Sequence, residues 1–130
     1  MKFIIQGETP AKKNSKIRTK SGCMIPSKQY QAWHEAALLQ LQTQKRYIDT
    51  ICYPVIITLS FFHGNYRRRD SDNGTSSILD TLTDAGILKD DNWEIVRILN
   101  VYNYYEKNKA RCEIEIYPIE TTIETGRESA

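Results

Sequence analysis

Residues 67 to 91 read RRRDSDNGTSSILDTLTDAGILKDD and set the chain's densest positive charge against its densest negative charge. Arg67, Arg68 and Arg69 run directly into Asp70 and Asp72, and a second acidic pair, Asp90 and Asp91, closes the segment. A surface that binds only anions needs no carboxylates, and a plain acidic face needs no arginines. One chemistry uses both signs. Hard carboxylate oxygens gathered from separate loops suit Mg²⁺, which keeps several waters and takes few ligands from protein. A phosphodiester held by Arg and Lys carries its own negative charge to such an ion, which activates water and stabilises the leaving oxygen. In this reading Arg67, Arg68 and Arg69 bind backbone phosphates. Asp70 and Asp72 hold the metal, joined by Asp91 if the sheet returns the second acidic loop beside the first.

The alternative is local. Asp72 and Asn73 are good helix N-cap residues, and the arginines could simply neutralise Asp70 and Asp72. Capping accounts for one acid and leaves Asp70, Asp90 and Asp91 unexplained. On a helix, Asp72, Ser76 and Asp80 share one stripe, which places position 76 toward the proposed site.

The elements that must position these groups follow from periodicity. KFIIQG reads as a short strand, and ETPAKKNSKIRTKSG as a polar loop punctuated by Pro10 and Gly22. Ser27 is an N-cap for SKQYQAWHEAALLQLQTQK, whose Tyr30, Trp33, Ala37, Leu38 and Leu41 fall on one helical stripe. YPVIITLSFFHG is a β-branched and aromatic run, the pattern of a largely buried strand. SSILDTLTDAG places Ile78, Leu79, Leu82 and Ala85 on one face, with Gly86 where a C-cap belongs. EIVRILNVYNYYE and ARCEIEIYP then read as two strands joined by the turn-like KNK. The predicted order is β-α-β-α-β-β, a single small α+β domain with helices packed on a mixed sheet. Its expected span is residues 1–118, with 119–130 a frayed tail.

Composition narrows the function classes. At 130 residues the chain is one domain with a modest core, small enough to gain from self-association. The formal net charge is only +2, but its distribution is uneven. Lys12, Lys13, Lys16 and Arg18 crowd a polar N-terminal loop, which points to a polyanionic partner or to plain solvated surface. Cys23, Cys52 and Cys112 form no CxxC pair, and His34 and His63 are not spaced with them as zinc ligands. Cys52 and Cys112 lie in or beside apolar runs and are expected to be buried. No apolar run approaches membrane-spanning length, and MKFIIQGETP turns polar too soon for a signal peptide, so a cytoplasmic location with no membrane partner is expected.

The ordered set RRRDSDN, then ILDTLTDAGILKDD, resembles the core of the RusA family of Holliday-junction resolvases. That pattern is a basic run, D-x-D-N, a helix with a D-x-L step, A-G near its end, and a closing D-D. GETPAKKNSKIR is similar to the family's opening, and the likeness spans about residues 1 to 117. The resemblance implies a homodimer that binds four-way DNA and hydrolyses paired phosphodiesters with Mg²⁺, or with Mn²⁺ in its place. It implies that Asp70, Asp72 and Asp91 are the metal-binding catalytic carboxylates, with Asp80 and Asp90 at commonly acidic positions. Four residues after the second aspartate of D-x-D-N the family commonly has lysine, and this chain has Ser76. Lys89 or an N-terminal lysine could supply the missing cation. Otherwise turnover would be weakened; the complete carboxylate set favours an active enzyme, and the alternative is a non-catalytic, structure-selective junction-binding dimer.

Overall fold

A computed structural model describes residues 1–11, 16–18, 20–22 and 24–119. The elements are β1 (Lys2–Gln6), β2 (Lys16–Arg18), β3 (Met24–Pro26), α1 (Lys28–Lys45), β4 (Val55–His63), α2 (Thr75–Asp84), β5 (Val96–Tyr105) and β6 (Arg111–Pro118). Four strands form one sheet in the order β1-β6-β4-β5. β4 lies antiparallel to β6 and parallel to β5, so the sheet is mixed as expected.

Burial alternates along β4. Val55, Ile57, Leu59 and Phe61 are buried with Phe3, Ile5, Cys112, Ile114 and Ile116 from the neighbouring strands. Ala37 and Leu41 of α1, with Ile78 and Leu82 of α2, complete that core. The predicted stripes are therefore the buried ones, because one face of each helix must cover apolar sheet surface. Ser27 caps α1 by accepting the Tyr30 backbone N–H at 3.1 Å. Gly86 adopts φ 75°, the left-handed conformation that ends α2 without a Cβ clash. α1 also satisfies the end of its neighbour: Gln42 Nε2 and Lys45 Nζ both donate to the Ala85 carbonyl, each at 3.2 Å.

The outer edge of β1 is covered by side chains. Gln44 accepts from the Ile4 N–H at 2.8 Å and donates to its carbonyl at 2.7 Å, while Gln40 accepts from the Gln6 N–H at 2.7 Å. Glutamines four residues apart on a helix match strand residues two apart, so α1 takes the place of a fifth strand and closes that edge.

Two expectations need correction, and one strand pairing that the sequence left open is decided by the structure. The basic loop contains a small hairpin, in which β2 and β3 pair antiparallel with Ile17 opposite Ile25. Strands of three residues are too short to show a period in sequence. The two C-terminal strands do not pair with each other, because β6 and β5 flank β4 on opposite sides. Cys52 is exposed, whereas Cys112 is buried as expected. Cys23 and residues 120–130 lie outside the described residues.

On the face away from the helices, Glu113 meets Lys2 at 3.1 Å and Arg111 at 3.0 Å. Lys2 first, and then Arg111, holds the Glu113 carboxyl below its usual range. A depressed carboxylate contributes stability above its ordinary pKa, near ~4.3, and loses it as pH falls through the folded value. The midpoint of urea unfolding is therefore expected to decline with acidification from pH 5, and to decline less steeply in Glu113→Gln.

Gly74 has negative φ but no room for a side chain. A Cβ there would stand 2.7 Å from Thr9 Cγ2 and 2.9 Å from Phe61 Cε1. Gly74→Ala is expected to cost about 1–3 kcal/mol through overpacking, measured as a lower urea midpoint with unchanged slope.

Candidate functional site

Because β4 and β5 are parallel, α2 must cross from the end of one to the start of the other. The turn that enters α2 therefore sits at the carboxyl end of both strands, a place where open α/β sheets gather ligands. A cavity of about 460 Å³ opens there, and its lining includes His63, Tyr66, Arg67, Arg69, Asp70 and Asn103. Asp70 and Asp72 lie in the turn, fixed by backbone bonds from Asn73 N to the Asp70 carbonyl and from Thr75 N to the Asp72 carbonyl, both 3.1 Å. Capping is not the role of Asp72. The N-cap of α2 is Gly74, with no side-chain cap bond.

A polar relay ties the turn to three other segments. His63 at the end of β4 contacts Glu8 Oε2 through Nδ1 and Asn103 Oδ1 through Nε2, both at 2.8 Å. Asn103 on β5 donates from Nδ2 to the Ser71 carbonyl at 2.8 Å, inside the Asp70–Asp72 turn. Glu8 also pairs with Arg69 at 3.2 Å. Sequence reasoning passes over Glu8, His63 and Asn103, since no spacing links residues separated by 40 and 55 positions.

The three arginines differ. Arg69 is turned inward, its side chain 14% exposed. It donates to the Asn65 and Arg67 carbonyls at 3.3 and 3.0 Å and to Asn65 Oδ1 at 2.9 Å. Arg67 and Arg68 are exposed, and Arg67 lines the cavity with Arg69. Arg18 is exposed at the end of β2. Lys12 and Lys13 lie outside the described residues, as does the side chain of Lys16.

The second acidic segment lies at the other end of α2. Leu88 bridges to Ile51, ahead of β4, and Lys89 N donates to the Ile51 carbonyl at 2.9 Å. Asp90 Oδ1 accepts the Asp91 N–H at 2.7 Å, which shapes the loop. Partial desolvation raises the Asp91 pKa, and the neighbouring Asp90 and Asp80 raise it further. Lys89 and Asp90 line a second cavity of about 450 Å³ with Cys52 and Arg97. Asp70 and Asp72 precede α2, whereas Asp91 follows it and feels the carboxylate of Asp80 from within the helix. Among the described residues no three His, Cys, Asp or Glu side chains gather closely enough to hold a metal ion. The donors fit a hard divalent cation in kind, being carboxylates on exposed loops, but their positions do not close on one ion. Ser76 is exposed on the outer face of α2. No helix among the described residues is long and apolar enough to cross a membrane.

A small α+β domain with arginines and aspartates at the carboxyl ends of parallel strands has the equipment of a nuclease acting on a polyanion. The chain matches the sequence profile of "Endodeoxyribonuclease RusA" over residues 7–117. It therefore belongs to the RusA family. It is also 29% identical over 110 residues to "Crossover junction endodeoxyribonuclease RusA" of Aquifex aeolicus, a match covering 85% of each chain.

The Asn103–Ser71 bond has a direct consequence for the turn. In Asn103→Leu, amide hydrogen exchange at Asn73 and Thr75 is expected to rise by about tenfold, equivalent to ~1.4 kcal/mol and within the range for one missing hydrogen bond. Exchange in the β6 core should stay unchanged.

Proposed function

We infer that this protein is a crossover-junction endodeoxyribonuclease, which hydrolyses phosphodiesters in branched four-way DNA during recombination and repair. The observation that carries the reading is the family match over residues 7–117, which spans both acidic segments. The nuclease domain is residues 1–118, and its place of action is the cytoplasm. The proposed metal is Mg²⁺, with Mn²⁺ able to substitute, and the proposed ligands are Asp70, Asp72 and Asp91. Such an ion, when bound, activates water and stabilises the leaving oxygen. Convergence of the three ligands requires a shift of one acidic loop along α2 when metal and DNA bind.

The chain's own groups have separable tasks. Exposed Arg67 and Arg68 hold phosphates beside the turn, while Arg69 and Glu8 brace it from within. Lys12, Lys13, Lys16 and Arg18 form a second phosphate-binding segment that positions DNA without reading bases. Asp80, Asp90 and Lys89 stand next to Asp91 in a supporting role. Branched DNA is the partner, and a homodimer supplies the two cuts that resolve a two-fold junction. What supports self-association is the outer edge of β5, where Leu99 and Tyr102 are exposed.

Ser76 favours a second reading, a junction-binding dimer without turnover, because its hydroxyl cannot replace a cation at the scissile phosphate. A labelled four-way junction incubated with Mg²⁺ or EDTA separates the two. Paired cuts with Mg²⁺ alone support the enzyme. Tight binding without cuts, with cleavage appearing in Ser76→Lys, supports the second reading.

In the active protein Asp70→Asn is expected to abolish cleavage and leave junction binding equal or stronger, since one charge repelling phosphate is gone. Arg67→Ala, Arg68→Ala and Arg18→Ala should each weaken binding. Each should also flatten the slope of log K against log salt by about one unit for every phosphate that is no longer neutralised. At saturating protein, a lower single-turnover rate in Arg67→Ala alone would assign it to the cleavage step.

A further inference from the structure

The cavity at the carboxyl ends of β4 and β5 has an aromatic wall that phosphate binding does not explain. Tyr66 and Tyr105 stack with ring centroids 4.1 Å apart and planes 29° from parallel. Tyr66 is 83% exposed, and Tyr104 and Tyr105 are 47% and 42% exposed. Tyr104, next in the strand to Tyr105, stacks instead on Phe62 at 5.0 Å, and the Arg111 guanidinium covers the Phe62 ring at 3.9 Å. Phe62 and Arg111 thus back Tyr104, while Tyr66 and Tyr105 form a separate stacked pair, since successive strand residues face opposite sides of the sheet. The polar part of the wall is similarly committed: Asn65 Oδ1 accepts from Arg67 N and Arg69 Nη2, and Asn103 bridges His63 and Ser71.

We propose that this cavity receives one unpaired nucleobase, stacked on the outer face of Tyr66, which Tyr105 backs from the other side, beside Asp70. This rests on the reading of the protein as a DNA nuclease and deepens it. Its volume of about 460 Å³ falls within the ~300–1,000 Å³ of small-molecule sites. A base inside a duplex has both faces covered by its neighbours, so only an unpaired base can offer a face to tyrosine. Ring-on-base stacking is tolerant of sequence because every base has a π face. Arg67 lies on the same wall and supplies a partner for the phosphate of that nucleotide. Asp70 lines the same hollow. Seating the base therefore registers its own phosphodiester against the carboxylate turn, which couples branch geometry to the place of cutting.

The test compares three DNAs in EDTA, so that binding is read without cleavage. They are a perfect duplex, the same duplex with one bulged thymine, and a four-way junction. The bulged duplex is expected to bind roughly tenfold more tightly than the perfect one, the scale of a single base–aromatic stack. Tyr66→Ala should bring the two affinities within about twofold, and Tyr66→Trp should restore the difference; Tyr66 is exposed enough that neither change threatens folding. A 5-iodouracil placed at the bulge should photocrosslink to Tyr66, Tyr104 or Tyr105. Equal affinity for bulged and perfect duplex in the unaltered protein overturns the proposal. A bulge preference indifferent to Tyr66→Ala, or crosslinks confined to other surfaces, does so as well. Loss of junction preference with the bulge preference intact removes the resolvase reading and leaves the base pocket standing.

Discussion

The parallel pairing of β4 with β5 governs the arrangement of everything chemical in this chain. Parallel neighbours cannot be joined by a tight turn, so the chain must cross back over the sheet between them, and α2 is that crossover. Its entry turn carries Asp70 and Asp72 at the carboxyl ends of the strands, and its exit loop carries Asp90 and Asp91 at the opposite end. An antiparallel β4 and β5 would place these acids on quite different surfaces. The crossover also explains why Gly74 must lack a side chain. The turn has to pass within van der Waals contact of Thr9 and Phe61 to bring α2 down onto the core.

The two edges of the sheet are treated differently. On β1 the glutamines of α1 occupy the free backbone groups, so that edge cannot pair with another strand. β5 is the other outer strand, ten residues long, with Leu99, Tyr102, Tyr104 and Tyr105 exposed along it. Unlike β1, this edge has no helix side chains on its free backbone groups among the described residues, so it differs in kind from the covered edge. One end of it belongs to the aromatic cavity.

Opposite charges in the RRRDSD segment are reconciled by a division of labour. Arg69 faces inward and, with Glu8, joins the N-terminal segment to the end of β4, which makes it part of the scaffold. Arg67 and Arg68 face outward, where their charge can meet a phosphate. The relay Glu8–His63–Asn103–Ser71 then fixes the acidic turn from three sides. Asp91 stands in a different environment, where desolvation and the nearby carboxylates of Asp90 and Asp80 disfavour its charge.

The sequence by itself determined the helices, their buried faces, the caps at Ser27 and Gly86, the mixed α+β class and the acidic and basic segments of interest. These are local properties: helical period, β-branched runs and turn chemistry act between residues a few positions apart. The hairpin of β2 and β3 is hidden because three-residue strands carry no periodicity. Cys52 adjoins an apolar run, which points to burial, yet it stands just ahead of β4 on the exposed rim. Only the tertiary structure decided that β6 and β5 flank β4 instead of pairing with each other. It also decided that Glu8, His63 and Asn103 meet, that Arg69 turns inward, and that Tyr66 stacks on Tyr105. Strand order and the convergence of residues 40 or 55 positions apart depend on how the whole core packs, and no short-range pattern in the chain encodes that.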